Sequence, residues 1–328
     1  MVGSRDSWDA RALPSLAGRT YLVTGATSGL GFFSAEQLAS AGAHVILSGR
    51  DVNKLTAARA AIGRRVPGAS LESMIIDVTK RSVVRSAAAS LSSHDRLDGV
   101  ILNAGIVHPP RKREEVDGHE IVLTTNVLGH FALAAGLLPT LAKAGRDFGT
   151  GRMVWLGSIS TASWKTTKID PELKDNYSGA RAYVQSKFMA QVLAAEAQRR
   201  CDEADVAVTN VIAHPGYSLS GRTDAVAGVN EVRRSKRFFA NLQAPVSQSK
   251  EAGAASQVRA LIDPQVQGGD LVGPARTFTG PPRVYPAAKS TTLTVHSRLP
   301  EVGREVWAFC EEATRTTWPF EAAQSPRD

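Results

Sequence analysis

The chain has 328 residues, 43% of them hydrophobic, and a formal net charge of +8. That is enough apolar material for a full core and excludes a disordered protein; the two cysteines, Cys201 and Cys310, lie far apart without metal-ligand spacing, which argues against a disulfide scaffold and suits a reducing, cytoplasmic setting. The basic residues are scattered, and no helix-turn-helix, aromatic RNA-binding motif or zinc spacing accompanies them, so no nucleic-acid partner is expected.

Met1 to Gly18 carries charges and a proline instead of a continuous apolar core, so it reads as an N-terminal arm and not as a secretory leader. Arg19 to Val23 is an apolar first strand, followed by Thr24-Gly25-Ala26-Thr27-Ser28-Gly29-Leu30-Gly31 and then a helix over Phe32 to Ala41. Strand, Gly-rich turn and helix in that order is the arrangement that binds a dinucleotide. Gly25 permits a tight turn, Gly29 lets backbone amides approach a pyrophosphate, and Gly31 lets the helix sit close to the sheet. The free N–H groups of the helix start complete an anion site. The bland alternative is a structural Gly-rich turn.

His44 to Ser48 is a second strand, ending at Gly49-Arg50-Asp51. A helix over Asn53 to Ile62, a third strand over Leu71 to Asp77, a helix over Arg81 to Leu91 and a fourth strand over Leu97 to Asn103 follow. Strand–helix alternation of this kind predicts a parallel sheet covered on both faces, an α/β doubly wound fold. A helix through Asn126 carries a buried stripe of Val127, Phe131, Ala134 and Leu138, and Pro139 is expected to end or kink it. Arg152 to Gly157 is the fifth strand, with Ser158 at its carboxyl end, where ligands gather in open α/β sheets. Ser160 is a near neighbour.

Tyr183 and Lys187, four residues apart, project from one helix face. Val206 to Ile212 is the sixth strand, followed by His214-Pro215-Gly216-Tyr217-Ser218. His214 reads as a polar strand-end residue and not as a base. Residues 221–249 suit a small helical lid with Phe238 and Phe239 inward and Arg233, Arg234, Lys236 and Arg237 outward; a membrane-surface or nucleic-acid patch is the sharper alternative. Residues 267–274 form the closing strand and Glu301 to Thr317 the last helix, leaving 318–328 as a tail. No apolar run is expected to span a bilayer. Residues 19–317 are then one domain.

In their order along the chain, the Gly motif, Asn126, Ser158 and the Tyr183-x-x-x-Lys187 pair resemble the short-chain dehydrogenase/reductase family over nearly the whole length. The long interval from Ser158 to Tyr183 and the Arg50-Asp51 ending of the second strand resemble its retinol-dehydrogenase-like and protochlorophyllide-reductase-like branch. The resemblance implies a Rossmann-type fold and an oxidoreductase that interconverts an alcohol and a ketone or aldehyde on an apolar small molecule, with no metal. It implies Tyr183 as general acid and base, Lys187 as the ammonium that lowers the phenol's pKa and holds the nicotinamide ribose, Ser158 as the hydroxyl on the carbonyl oxygen, and Asn126 as part of a proton path where the helix locally opens.

For the cofactor, the resemblance implies contacts from Gly25, Thr27, Ser28, Gly29, Leu30 and Gly31. Asp77 and Val78 meet the adenine, Asn103-Ala104-Gly105 pass beneath, and Pro215, Gly216 and Ser218 border the nicotinamide and phosphates. Asp77 is equally a helix N-cap, and Asn103 to Gly105 is also ordinary turn chemistry. Arg50 offers a planar cation for a 2′-phosphate, which favours NADP(H) over NAD(H). A non-catalytic NADP(H)-binding or sensing protein on the same fold is the alternative. Homo-oligomers through the Asn126 and Tyr183 helices occur in similar proteins, as do monomers.

Overall fold

The computed structural model describes residues 8–9, 12–289 and 291–324. Its centre is an eight-stranded sheet: β1 (Thr20–Val23), β2 (His44–Gly49), β3 (Ser70–Ile75), β4 (Gly99–Leu102), β5 (Arg152–Leu156), β6 (Thr209–Ala213), β7 (Leu271–Pro274) and β8 (Pro282–Tyr285). The order across the sheet is β8-β7-β6-β5-β4-β1-β2-β3. All neighbours are parallel except β7 and β8. The order reverses between β1 and β4, and a crevice opens beyond the carboxyl ends of those two strands. The Rossmann-type expectation holds; the antiparallel β8 is an addition that the sequence reading lacked.

Side chains alternate across a strand, and the two faces feed two cores. Leu22, Val100 and Trp155 join one; Tyr21, Val23, Ile101 and Val154 join the other. Over the second face lie α1 (Gly29–Ser40), α2 (Val52–Arg65) and α7 (Lys250–Ile262); over the first lie α3 (Arg81–Ser92), α4 (Ile121–Phe148), α5 (Gly179–Glu203) and α8 (Pro300–Thr314). A nine-residue helix, α6 (Arg234–Leu242), stands apart at the carboxyl edge of the sheet. Local chemistry sets the helix ends: Asp51 accepts from the amides of Asn53 (2.9 Å) and Lys54 (3.1 Å) to cap α2, while Ser178 caps α5 and Ser249 caps α7.

Four expectations differ from the structure. Pro139 lies inside α4, which runs on to Phe148; the neighbouring Leu137, Leu138, Leu141 and Ala142 are fully buried, and that packing outweighs the one lost backbone bond. The same helix is, contrary to the reading of the apolar runs, long and apolar enough to cross a membrane, but 78% of that window is buried inside this fold. The chain after 317 is no loose tail as far as it is described: Trp318 is 3% exposed and stacks among Trp155, Trp307 and Phe320. At the other end Leu16, assigned to the arm, is fully buried in the second core.

Candidate active site

The crevice floor begins with the Gly-rich turn. Gly25 has φ +65°, and a Cβ there would stand 2.8 Å from the Ala104 Cα. Gly31 is tighter: its Cβ would meet the Gly25 carbonyl oxygen at 2.4 Å and the Asn103 amide nitrogen at 2.5 Å. At Gly29, with φ +59°, an added Cβ would meet nothing within 4 Å, so the space beside it is open. The Ser28 side chain makes no cap hydrogen bond, and no acidic residue sits in the first turn of α1. The helix start therefore keeps its partial positive charge, and an anion fits there. Thr27 lies against the tip of β2, where a Cβ on Gly49 would meet its methyl at 2.8 Å.

Thr24, the last position before the turn, ties this loop to the end of β4. Its hydroxyl accepts from the amides of Asn103 (2.8 Å) and Ala104 (2.9 Å), and the Asn103 side chain donates back to the Thr24 carbonyl (2.8 Å). The fully buried Thr24 hydroxyl also contacts His130 Nε2 at 3.1 Å, and the His130 ring hydrogen-bonds to the Asn126 backbone carbonyl. Burial, and then the charge of Lys187, pushes His130 down to about 3, so this ring is neutral. The sequence reading missed Thr24 and His130 as site-builders; the available signal for His130 was its place one helical turn after Asn126.

Asn126 sits in a wide π turn, Thr124–Leu128, within α4, so the helix does open where the resemblance implied. Its side chain accepts from the Ile106 amide (2.8 Å) and donates to the Ile106 carbonyl (3.2 Å) and to Ser186 Oγ (2.9 Å). Ser186 in turn donates to the Tyr183 carbonyl at 2.8 Å. Gly105 is wedged in this cluster: a Cβ there would lie 3.0 Å from Asn126 Oδ1 and 3.7 Å from Lys187 Nζ.

Lys187 is 4% exposed, and its Nζ donates to the Leu156 carbonyl at the end of β5 (3.0 Å). Desolvation takes its pKa down to about 8. Tyr183, one turn earlier on α5, donates from its hydroxyl to Ser158 Oγ at 3.4 Å. Ser158 Oγ also accepts from the Ser160 amide (3.2 Å) and hydroxyl (2.9 Å), so Ser160 supports Ser158 from behind. The expected lowering of the phenol's pKa by Lys187 is not what is found: burial raises the Tyr183 pKa, opposed by the Ser158 hydrogen bond. In this geometry the ammonium is turned to a backbone carbonyl, and loss of water around the phenol dominates.

The remaining residues ring this centre. Asp77 accepts from the Thr79 amide (3.1 Å) and hydroxyl (2.7 Å), capping the turn before α3 while Lys80 holds the N-cap position. Val78 presses its carbonyl on α4 where only Gly129 fits. Arg50 is exposed at the tip of β2, and Asp51 beside it is committed to capping α2. Gly216 has φ +62°, and its amide donates to His214 Nδ1 (3.2 Å), which makes His214 a turn support. Ser218 donates to the Pro215 carbonyl (2.7 Å). The rim overturns one expectation: Phe238 and Phe239 on α6 are 62% and 63% exposed, outward and not inward. Ala240 takes the inward place against Gly221, where a Cβ would meet it at 2.5 Å. A narrow small-residue contact thus seats the helix and leaves no room to turn an aromatic ring beneath it.

The model of the short chain dehydrogenase family matches residues 19–230. Polyprenol dehydrogenase of Mus musculus is 32% identical over 257 residues, 78% of this chain and 75% of its own. The chloroplastic short-chain dehydrogenase TIC 32 A of Brassica napus is 34% identical over 205 residues, 60% of this chain and 63% of its own. Among solved structures, an uncharacterized protein of Mycobacterium paratuberculosis matches with TM-score 0.70 and 29% identity, covering 95% of this chain and 99% of that one. The RhlG/NADP complex of Pseudomonas aeruginosa shares the fold at TM-score 0.59 and 24% identity, covering 79% of this chain and 95% of its own.

Proposed function

Since the chain belongs to the short-chain dehydrogenase/reductase family, and is thereby an oxidoreductase of alcohols and carbonyls, we propose that it uses NADP(H), acts on an apolar small molecule, and works through Tyr183, Lys187, Ser158 and Asn126. The observation that carries the reading is the meeting of the Tyr183 hydroxyl with Ser158 Oγ, 3.4 Å apart, at the carboxyl end of β5. The apolar substrate is supported by the name of the polyprenol dehydrogenase relative, which acts on a lipid alcohol by that name.

A nicotinamide, when bound, supplies or takes the hydride. The chain's own residues do the rest. In reduction Tyr183 donates its proton to the carbonyl oxygen; in oxidation the Tyr183 phenolate oxygen takes the proton of the substrate hydroxyl. Ser158 Oγ accepts from Ser160 N and Ser160 Oγ, which fills its two lone pairs once Tyr183 gives its proton to the substrate and leaves its own O–H to aim at the substrate oxygen. Lys187, at about 8, is mostly an ammonium at neutral pH, held on the Leu156 carbonyl, and would hold the nicotinamide ribose. Asn126 fixes the 105–106 backbone beside Lys187. Gly25 to Gly31 and the start of α1 would hold the pyrophosphate, and Arg50 would hold the 2′-phosphate.

The test is a panel of aldehydes, ketones and alcohols followed by nicotinamide absorbance with both cofactors. Tyr183→Phe is expected to slow turnover by about 10²–10⁴-fold with NADPH binding kept; full activity in that variant would sink the mechanism. Arg50→Ala is expected to raise the KM for NADPH more than that for NADH, and an unchanged ratio removes the cofactor preference. NADPH binding with silence across the whole panel would turn the reading to a cofactor-sensing protein.

A further inference from the structure

We propose that the rim of the crevice is a membrane-docking surface, with α6 lying on an anionic lipid bilayer. On α6, Phe238, Phe239 and Leu242 are 62%, 63% and 66% exposed, and Val246, just beyond it, is 52% exposed. Phe238 and Leu242 are four residues apart and Phe239 and Leu242 three, so all three share one helix face. Two more exposed aromatics, Tyr217 (37%) and Phe278 (49%), flank them and are joined by a hydrogen bond from the Tyr217 amide to the Phe278 carbonyl (2.8 Å). The Tyr217 hydroxyl reaches Gln243 at 2.7 Å, binding the flank to the end of α6.

The apolar face is held outward. Ala240 against Gly221 fixes the buried side of the helix, and Arg222 donates to Asn241 at 3.3 Å. Grouped exposed aromatic and aliphatic side chains on one short helix mark a contact surface. Its partner follows from charge. Between Glu231 and Glu251 the sequence has no acidic residue, and of the cations there Arg233 and Lys236 are exposed, Arg237 is half-buried and Lys250 is withdrawn from water. Cations bordering an apolar helix face fit anionic headgroups above acyl chains. A second copy of the chain fits worse, because a two-fold interface through α6 would set these cations against themselves. Nucleic acid would use the cations and the rings but gains nothing from Leu242 and Val246. The surface lies beside the Pro215–Gly216 turn, so docking there brings the mouth of the site to the lipid. The proposal concerns a surface and not the reaction, and its test needs no substrate.

The experiment is co-sedimentation of the full chain with vesicles of phosphatidylcholine, with and without phosphatidylglycerol, at about 0.1 M salt. Wild type is expected to sediment with the phosphatidylglycerol vesicles and more weakly with phosphatidylcholine alone. Phe238→Ser combined with Phe239→Ser should weaken both by about tenfold. Lys236→Glu should weaken by about fivefold the anionic vesicles alone. Unchanged thermal melting in both variants shows that the fold is intact. Wild type remaining in the supernatant with both vesicles, or variants binding as well as wild type, overturns the proposal. A wild-type dimer that the double variant converts to monomer, by light scattering, assigns the face to a second copy and also overturns it; so does salt-dependent nucleic-acid binding lost in Lys236→Glu without vesicle binding.

Discussion

Two regions border the same crevice on opposite physical terms. On the floor, Thr24, Asn126 and Lys187 are at most 4% exposed, and each has its hydrogen-bond partners within the fold. On the rim, Phe238, Phe239 and Leu242 are more than 60% exposed. A buried polar group without a partner is costly, so the identity of each floor residue is dictated by its neighbours. The rim owes its neighbours little, and its composition reports what it meets outside the fold. The difference teaches where to look for each kind of function: chemistry where polar atoms are buried and satisfied, recognition where apolar atoms are bare.

The largest expected effect belongs to the floor. Thr24→Val keeps the shape but removes the acceptor of the Asn103 and Ala104 amides. The cost is about 1–3 kcal/mol for each amide left unpaired, read as a lower midpoint in chemical denaturation. An unchanged midpoint would show that water replaces the hydroxyl and that the floor is looser than it looks.

Next comes acid. Burial holds His130 at about 3 and His214 at about 4, both below the ordinary 6.5. Between those values and 6.5 the unfolded chain binds more protons than the folded one, so stability falls as pH drops below 6.5. At pH 5 the loss is about 2 kcal/mol for each ring. His130→Asn should flatten about half of that slope; a slope that persists in full assigns the acid sensitivity elsewhere.

The smallest effect belongs to the rim. Leu242→Ser should leave stability within about 0.5 kcal/mol. A loss above about 2 kcal/mol would make α6 part of the core and dissolve the contrast.

The same contrast explains what was legible in the sequence. Gly25 and Gly31 were readable because backbone lies within 3 Å of where a side chain would stand, and only one residue type solves that problem. Tyr183 and Lys187 were readable because a helix fixes their spacing. Thr24 and His130 were not, since a threonine at a strand end and a histidine in an apolar stripe each have an ordinary core reading, and their contact spans 106 residues. The direction of the Tyr183 pKa shift was missed because it depends on desolvation, which no spacing encodes. Phe238 and Phe239 were placed inward by the rule that aromatics bury; Gly221, too small to need a large partner, gave that place to Ala240.

The π turn at 124–128 has a consequence confined to its own stretch of α4. A π turn carries one residue more than an α turn over nearly the same rotation, so deleting one residue there would regularise the turn and leave the downstream faces where they are. Phe131, whose ring meets Trp307 edge-on at 5.0 Å, would stay in the tryptophan cluster, and Gly129 would stay against Val78. The surplus residue is thus absorbed locally: it widens the backbone around Asn126 and leaves the aromatic half of the interior undisturbed.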